Sequence, residues 1–351
     1  MALFSGSLRL ERENIRESAR TSERRAERRA EKQAKREAKE MIEIRNLSKK
    51  FDQFTAVDDL SFEIKEGEVL GFLGPNGAGK STTMKLITGF LSPSAGTVTI
   101  DQHDISSDPI RAKELMGYLP EGAPSYGDMS TLEFLNFIGR IRGFSGSELE
   151  QRVNHVIREV ELQAVANQTI ETLSKGFNRR VGLAQAIIHD PKVLVLDEPT
   201  DGLDPNQKHH VRELIKNLAQ DKIVIISTHI LEEVTAVCSR AIIIAEGRIV
   251  ADGTPADLES QSKYHQAISV KLTEAYDLEA DLSSLANVSG VEKDEEDELR
   301  FRILANDGKS IFTQVSEVAQ QKHWPITEFH VSRGQLEDVF RTVTQEVGGA
   351  G

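Results

Sequence analysis

The sequence predicts an α/β fold built around a buried parallel sheet, followed by a small α+β domain. Three stretches carry that reading. Val69–Leu73 is an apolar run entering the turn Gly74-Pro75-Asn76-Gly77-Ala78-Gly79-Lys80-Ser81-Thr82, with a helix-like run to Phe90 behind it. Val193-Leu194-Val195-Leu196 sets four apolar residues in a row and ends in two acids, Asp197 and Glu198. Ile223-Val224-Ile225-Ile226 is a second such run, closing on Ser227-Thr228-His229. Unbroken apolar runs of this length suit strands covered on both faces, the condition of a parallel sheet between helices.

At 351 residues the chain has room for about two to three domains. A hydrophobic content of 38% supports real cores, and 28% charge suits a water-facing surface. The net charge of −13 argues against a general nucleic-acid binder. One cysteine, Cys238, rules out an internal disulfide and fits a reducing compartment. No run of 18 apolar residues is present, so no segment reads as membrane-spanning.

Residues 1–40 stand apart. From Arg9 to Glu40 there are twelve Lys/Arg against eight Glu, with no Gly or Pro, which predicts a charged helix. Arg12, Arg16, Arg20, Arg24, Arg28, Lys32 and Arg36 recur at i+4 as one basic stripe. With almost no large apolar residues this helix has no core to join. It reads as a solvated extension or as a strip that touches anionic headgroups or a partner. A further reading starts translation at Met41, which opens a natural strand.

From 41 onward the pattern alternates. Segments 42–47, 56–64 and 69–73 read as strands, and Gly96 to Asp101 as another. Met116-Gly117-Tyr118-Leu119-Pro120-Glu121 reads as strand then loop, because Pro120 ends the ladder. Residues 130–165 are helical by period. Ser174 is placed as an N-cap for a helix carrying Val181, Leu183 and Ala184. Asp204 and Pro205 form an N-cap and first-turn pair for a helix to about Ala219. His209 and His210 lie on that helix as solvated residues, with no acids or cysteines at metal spacing. Segments 241–245 and 248–251 close the sheet around Glu246-Gly247. Past about Gln266 the strands 268–272, 299–304 and 327–331 alternate with helices at 281–286 and 310–320. The acidic run from Glu292 to Glu298 reads as a hairpin loop.

The chemistry gathers at the strand ends. Gly74, Gly79, Lys80 and Ser81 fall at the G-x-x-x-x-G-K-[ST] spacing of a phosphate-cradling loop. Glycines let backbone N–H groups close around a polyphosphate, and the helix behind adds its positive end. Lys80 is placed to reach β- and γ-phosphates, and Ser81 to ligate Mg²⁺. Two acids at the end of a buried strand are costly unless metal or substrate uses them. Asp197 is read as the Mg²⁺ acid and Glu198 as the group orienting an attacking water. His229, at the end of a neighbouring strand, is read as a hydrogen-bond donor to a phosphate oxygen.

Taken together, these motifs resemble the ATP-binding subunit of an ABC transporter over roughly residues 41–255. Residues 74–81 resemble a Walker A loop, and 193–198 a Walker B strand with its catalytic glutamate. Leu173-Ser174-Lys175-Gly176-Phe177 resembles the ABC signature, 201–204 the D-loop and His229 the H-loop. The Leu-Ser-Lys-Gly form with Tyr-Leu-Pro-Glu upstream is similar to type-2 exporters, in particular the gliding-motility-associated subunit. The resemblance implies a P-loop NTPase (RecA-like) core with a β-subdomain and a helical subdomain (about 125–180), plus the extra domain at 266–345. It implies ATP and Mg²⁺ at Gly74, Pro75, Asn76, Gly77, Ala78, Gly79, Lys80, Ser81 and Thr82, with Phe51 stacking adenine. Glu198, His229 and Lys80 would be catalytic, and Ser81, Asp197 and the Q-loop position Glu121 would hold metal.

The same resemblance implies a head-to-tail dimer, with a second copy or a related ATPase. Leu173, Ser174, Lys175 and Gly176 of one molecule would then close the nucleotide of the other, and Asp204 would lie in the D-loop. It further implies an integral-membrane permease as partner, no nucleic acid, and a cytoplasmic location peripheral on the inner face of the membrane. The competing class is a non-transport ABC ATPase acting on nucleic acid or ribosomes. Two positions depart from the family pattern. Lys175 and Phe177 replace the usual first Gly and Gln of the signature, and Glu121 stands where a glutamine belongs. An ionised Glu121 accepts but cannot donate.

Overall fold

The computed structural model describes residues 41–348, apart from 123–125, 284 and 295. The basic helix read over 1–40 lies outside the described residues. A four-stranded antiparallel sheet, order β2-β1-β4-β5, opens the chain with β1 (Met41–Phe51), β2 (Phe54–Lys65), β4 (Ala95–Ile100) and β5 (His103–Asp104). A six-stranded sheet, order β10-β9-β3-β8-β7-β6, forms the centre. In it β3 (Val69–Leu73), β6 (Met116–Leu119), β7 (Val193–Asp197), β8 (Ile223–Thr228) and β9 (Arg240–Ala245) run parallel, and β10 (Arg248–Gly253) pairs antiparallel on the edge.

The apolar runs of β3, β7 and β8 are buried at every residue, as their composition requires. Alternate residues serve opposite faces. Leu73, Leu194, Leu196, Val224 and Ile226 enter one core with the helices α3 (Thr131–Ile141), α4 (Gly146–Glu159) and α5 (Lys175–Ile187). Phe72, Val193, Val195, Ile223 and Ile225 enter another. That second core holds the antiparallel sheet and the helices α1 (Lys80–Ile87) and α2 (Pro109–Glu114). The remaining helices of this part are α6 (Pro205–Leu218), α7 (Leu231–Val237) and α8 (Pro255–Glu259).

A third sheet, order β12-β13-β11-β14, is antiparallel: β11 (Ile268–Leu272), β12 (Val288–Lys293), β13 (Arg300–Ala305) and β14 (Ile326–Val331). It builds its own core with α9 (Leu278–Leu282) and α10 (Phe312–Gln321), around Val270, Ile303, Val315 and Trp324. Three details depart from the expectation. The helix expected at 281–286 starts three residues earlier, because the Asp277 side chain caps it by accepting from the Ala280 N–H at 3.3 Å. Strand β12 was not foreseen; the 294–299 loop between it and β13 carries most of the acidic run. The last helix, α11 (Leu336–Gly348), does not stay with this sheet, although the sequence reading drew one domain over 266–345. Its Leu336 is buried in the first core, with Phe340 and Val343 packed against it.

Candidate active site

The loop after β3 turns where only glycine fits. A Cβ on Gly74 would lie 2.5 Å from the Ile244 carbonyl oxygen. Gly79 has φ 103° and would press a Cβ to 2.4 Å from the Ala56 carbonyl oxygen. Pro75, Asn76 and Gly77 are exposed along the loop, Ala78 is buried, and Gly79 is the N-cap of α1. Ser81 and Thr82 lie half-buried in the first turn of that helix.

Lys80 is 7% exposed, and its ammonium donates to the carbonyls of Gly74 at 2.7 Å and Pro75 at 3.2 Å. Burial lowers its pKa, and the charges of Glu198, Asp197 and Glu121 oppose that shift. The structure therefore brings the loop lysine and the three candidate acids into one electrostatic neighbourhood. Among the described residues this buried ammonium donates to two neutral carbonyls and forms no ion pair, a setting that suits an anionic ligand such as a polyphosphate.

Asp197 is 1% exposed at the end of β7. Its Oδ1 accepts from the Ser227 hydroxyl, and its Oδ2 is buried without a hydrogen-bond partner among the described residues. An orphaned carboxylate oxygen beside Lys80 fits a hard cation. Among the described residues no three His, Cys, Asp or Glu side chains converge as a complete metal cage. That suits a cation completed by substrate phosphates and water rather than by protein alone.

Glu198 follows with φ 49°, a backbone state that non-glycine residues rarely adopt. Its N–H donates to the Ser227 carbonyl at 3.0 Å. Burial raises the pKa of its carboxyl, while the His229 hydrogen bond pulls the other way. His229 Nδ1 sits 3.0 Å from both carboxylate oxygens.

Arg179 was missed by the sequence reading. It is buried on α5, three residues past Gly176, and spans four backbone carbonyls: Pro120 at 3.2 Å, Asp197 at 2.7 Å, Pro199 at 3.3 Å and that of Glu198. It thereby ties the helix of the signature-like segment to the strand ends bearing Glu121 and Glu198. Ser227 was also missed. A hydroxyl between an apolar run and His229 was the available signal.

The expected signature and D-loop residues lie elsewhere. Ser174 is an exposed N-cap whose hydroxyl accepts from the Phe177 N–H at 3.3 Å. Leu173 is half-buried, Lys175 is exposed, and Gly176 packs so closely on Gln207 that a Cβ would meet its amide at 2.5 Å. Asp204 caps α6 by accepting from the Gln207 N–H at 2.9 Å. Among the described residues no hydrogen bond or ion pair joins 173–176 to 74–82. Glu121 is exposed past β6, and Phe51 is 44% exposed at the end of β1 with the Lys49 ammonium 5.1 Å from its ring centre.

A parallel sheet with a glycine-rich phosphate loop, a buried Asp followed by a half-buried Glu and a histidine at the end of the next strand defines a P-loop nucleotide hydrolase. The chain belongs to the ATP-binding proteins of ABC transporters. The ABC transporter family model matches residues 57–201. The linearmycin resistance ATP-binding protein of Bacillus subtilis is 34% identical over 308 residues, covering 87% of this chain and 98% of that one. The Nod factor export ATP-binding protein I of Burkholderia lata is 39% identical over 215 residues, covering 61% of this chain and 71% of that one. A solved ATP-binding subunit of an ABC transporter superposes with a TM-score of 0.58 at 30% identity, over 63% of this chain and 92% of that one. A dimeric ATP-binding cassette in a post-hydrolysis state, bound to ADP and phosphate, superposes with a TM-score of 0.56 at 25% identity, over 61% and 98%. The chain is accordingly a nucleotide-binding ATPase of this family.

Proposed function

We propose that two molecules pack head to tail and that ATP on residues 74–82 of one is closed by Ser174, Lys175 and Gly176 of the other. The observation that carries this reading is the placement of 173–176. They stand at the start of α5, where Ser174 and Lys175 are exposed, and among the described residues they make no bond to their own phosphate loop, while Arg179 latches that helix to its own Glu198. The dimeric cassette among the similar structures supports the arrangement.

In this reading Lys80 and the loop amides hold the β- and γ-phosphates, and Phe51 stacks on the base. Ser81, Asp197 and Glu121 would hold Mg²⁺, which when bound neutralises phosphate charge and orients the γ-phosphoryl group. Glu198 accepts a proton from, and aims, the attacking water, and His229 supports the transition state. Asp204 sits beside the signature helix at the dimer face. Binding of the γ-phosphate favours the closed pair, and its loss on hydrolysis reopens it.

The work is coupled to a membrane permease of the export type, at the inner face of the membrane. No helix among the described residues is long and apolar enough to cross a membrane. Exposed Phe90, Ile110 and Ile141 offer that partner an apolar contact around α2. The names of the relatives, resistance and export, favour transport over the nucleic-acid or ribosome alternative. Affinity isolation from membranes in mild detergent is expected to recover a protein with several hydrophobic spans. Recovery of ribosomes or RNA instead would overturn the transport reading.

A further inference from the structure

Glu233 is 4% exposed and takes no part in the chemistry above. It lies in the first turn of α7, where a carboxylate is favourable beside the helix N-terminus. Glu232, its exposed neighbour, already supplies that charge from the surface. Glu233 points inward instead. Its Oε1 accepts from the Thr200 hydroxyl, and its Oε2 accepts from the Thr228 hydroxyl at 3.0 Å. The Thr228 oxygen in turn accepts from the Ile230 N–H at 3.0 Å. Neither carboxylate oxygen caps its own helix.

The two threonines are the significant partners. Thr200 is two residues past Glu198, and Thr228 is one residue before His229. Both are buried. One carboxylate therefore bridges the two strand ends that carry the water-orienting acid and its histidine. An apolar residue would fill the same volume without the cost of burying a charge. Its two oxygens, on one rigid group, instead fix the separation of the loops. Glu198 needs such framing, since a non-glycine residue at φ 49° persists only where its surroundings hold it there. Ser227 holds it on one side, and Thr200 with Glu233 holds it on the other.

We infer that Glu233 is a positioning residue for ATP hydrolysis, setting Glu198 against His229 through Thr200 and Thr228. This rests on the roles proposed for Glu198 and His229. A displacement near 1 Å at a reacting group costs about 100-fold in rate. Glu233→Ala is therefore expected to lower kcat by about 10-fold to 100-fold, with ATP affinity within about 2-fold of the parent. Glu233→Gln keeps one acceptor, and threonine hydroxyls can turn to meet its amide, so it should recover most of the rate.

The test measures kcat, KM, ATP affinity and thermal midpoint for both variants, alone and with Glu198→Gln. A group acting through Glu198 adds little further loss in the Glu198→Gln background. A second readout is the ¹⁵N-resolved Nδ1–H resonance of His229, which should weaken or shift in Glu233→Ala before any nucleotide is added. Normal hydrolysis by Glu198→Gln alone would overturn the underlying role of Glu198. With that role intact, an unchanged kcat and His229 signal in Glu233→Ala would overturn the inference. So would a fall in affinity matching the fall in kcat. Should the alanine variant not fold, the same measurements on Glu233→Gln decide, and full inactivity with an unchanged His229 signal counts against it.

Discussion

His229 Nδ1 lies 3.0 Å from each oxygen of the Glu198 carboxylate, so the ring bridges the two. An ionised carboxylate only accepts, which assigns the proton of this contact to Nδ1. A neutral His229 has one N–H, and Glu198 takes it. Donation to a phosphate oxygen as well requires either the doubly protonated ring or release of Glu198. The two residues therefore act as a unit, and His229→Ala is expected to lower kcat by about 100-fold while ATP affinity changes little. Parallel measurement of turnover and nucleotide affinity checks this; equal losses in both would place His229 in binding instead.

Arg179 joins the start of α5 to the end of β7 through three carbonyls and to the end of β6 through a fourth, that of Pro120. Lysine has the charge but not the planar fork, so Arg179→Lys leaves most of those carbonyls without a donor. Unsatisfied buried carbonyls cost about 1–3 kcal/mol each when no water replaces the donor. The expected outcome is a lower urea midpoint and at least about a 10-fold loss of turnover. A variant with parental turnover and stability would show the latch to be dispensable.

Lys80 separates binding from folding. Its ammonium is desolvated and faces two carbonyls, so replacing it removes a cost along with those bonds. Lys80→Met is expected to change the stability of the nucleotide-free protein by less than about 1 kcal/mol. The rise in thermal midpoint on adding Mg-ATP should vanish. Persistence of that rise in Lys80→Met would remove Lys80 from the phosphate site.

His189 gives the fold a pH dependence that the active site does not explain. One ring nitrogen, Nε2, lies 2.8 Å from the Met116 carbonyl, and Nδ1 is buried without a partner among the described residues. Burial, reinforced by the Arg142 charge, holds its pKa down at about 4 against an ordinary 6.5. The unfolded chain therefore binds this proton more readily than the folded one. The contribution is complete above about pH 6.5 and is lost as pH falls toward 4, on the order of 2 kcal/mol. Urea unfolding at pH 7 and pH 4.5 measures it. In His189→Gln the difference between the two should shrink by that amount; an unchanged difference would exclude the imidazole as its source.

Much of the catalytic half was legible because its signals are local. The glycine spacing of 74–81, the apolar runs of β7 and β8, and the capping pairs at Ser174 and Asp204 each follow from neighbours in the chain. What was missed depends on distant partners. Arg179 and Glu233 look like ordinary helix charges, and nothing nearby in sequence reveals that both are buried against strand ends. The third sheet was read in part, since Val288–Lys293 offers only two valines around a glycine and alternates weakly. Helix α11 had a readable period in Leu336, Val339, Phe340 and Val343, but its docking on the first core is a long-range event.

The most direct measurement is the mass in solution of Glu198→Gln, with and without saturating Mg-ATP, by light scattering after size exclusion. If Glu198 orients the attacking water, the variant should bind ATP and stay closed, giving twice the monomer mass with nucleotide and the monomer mass without it. A monomer in saturating Mg-ATP, with nucleotide shown to be bound, would contradict closure of one molecule's ATP by the signature segment of another.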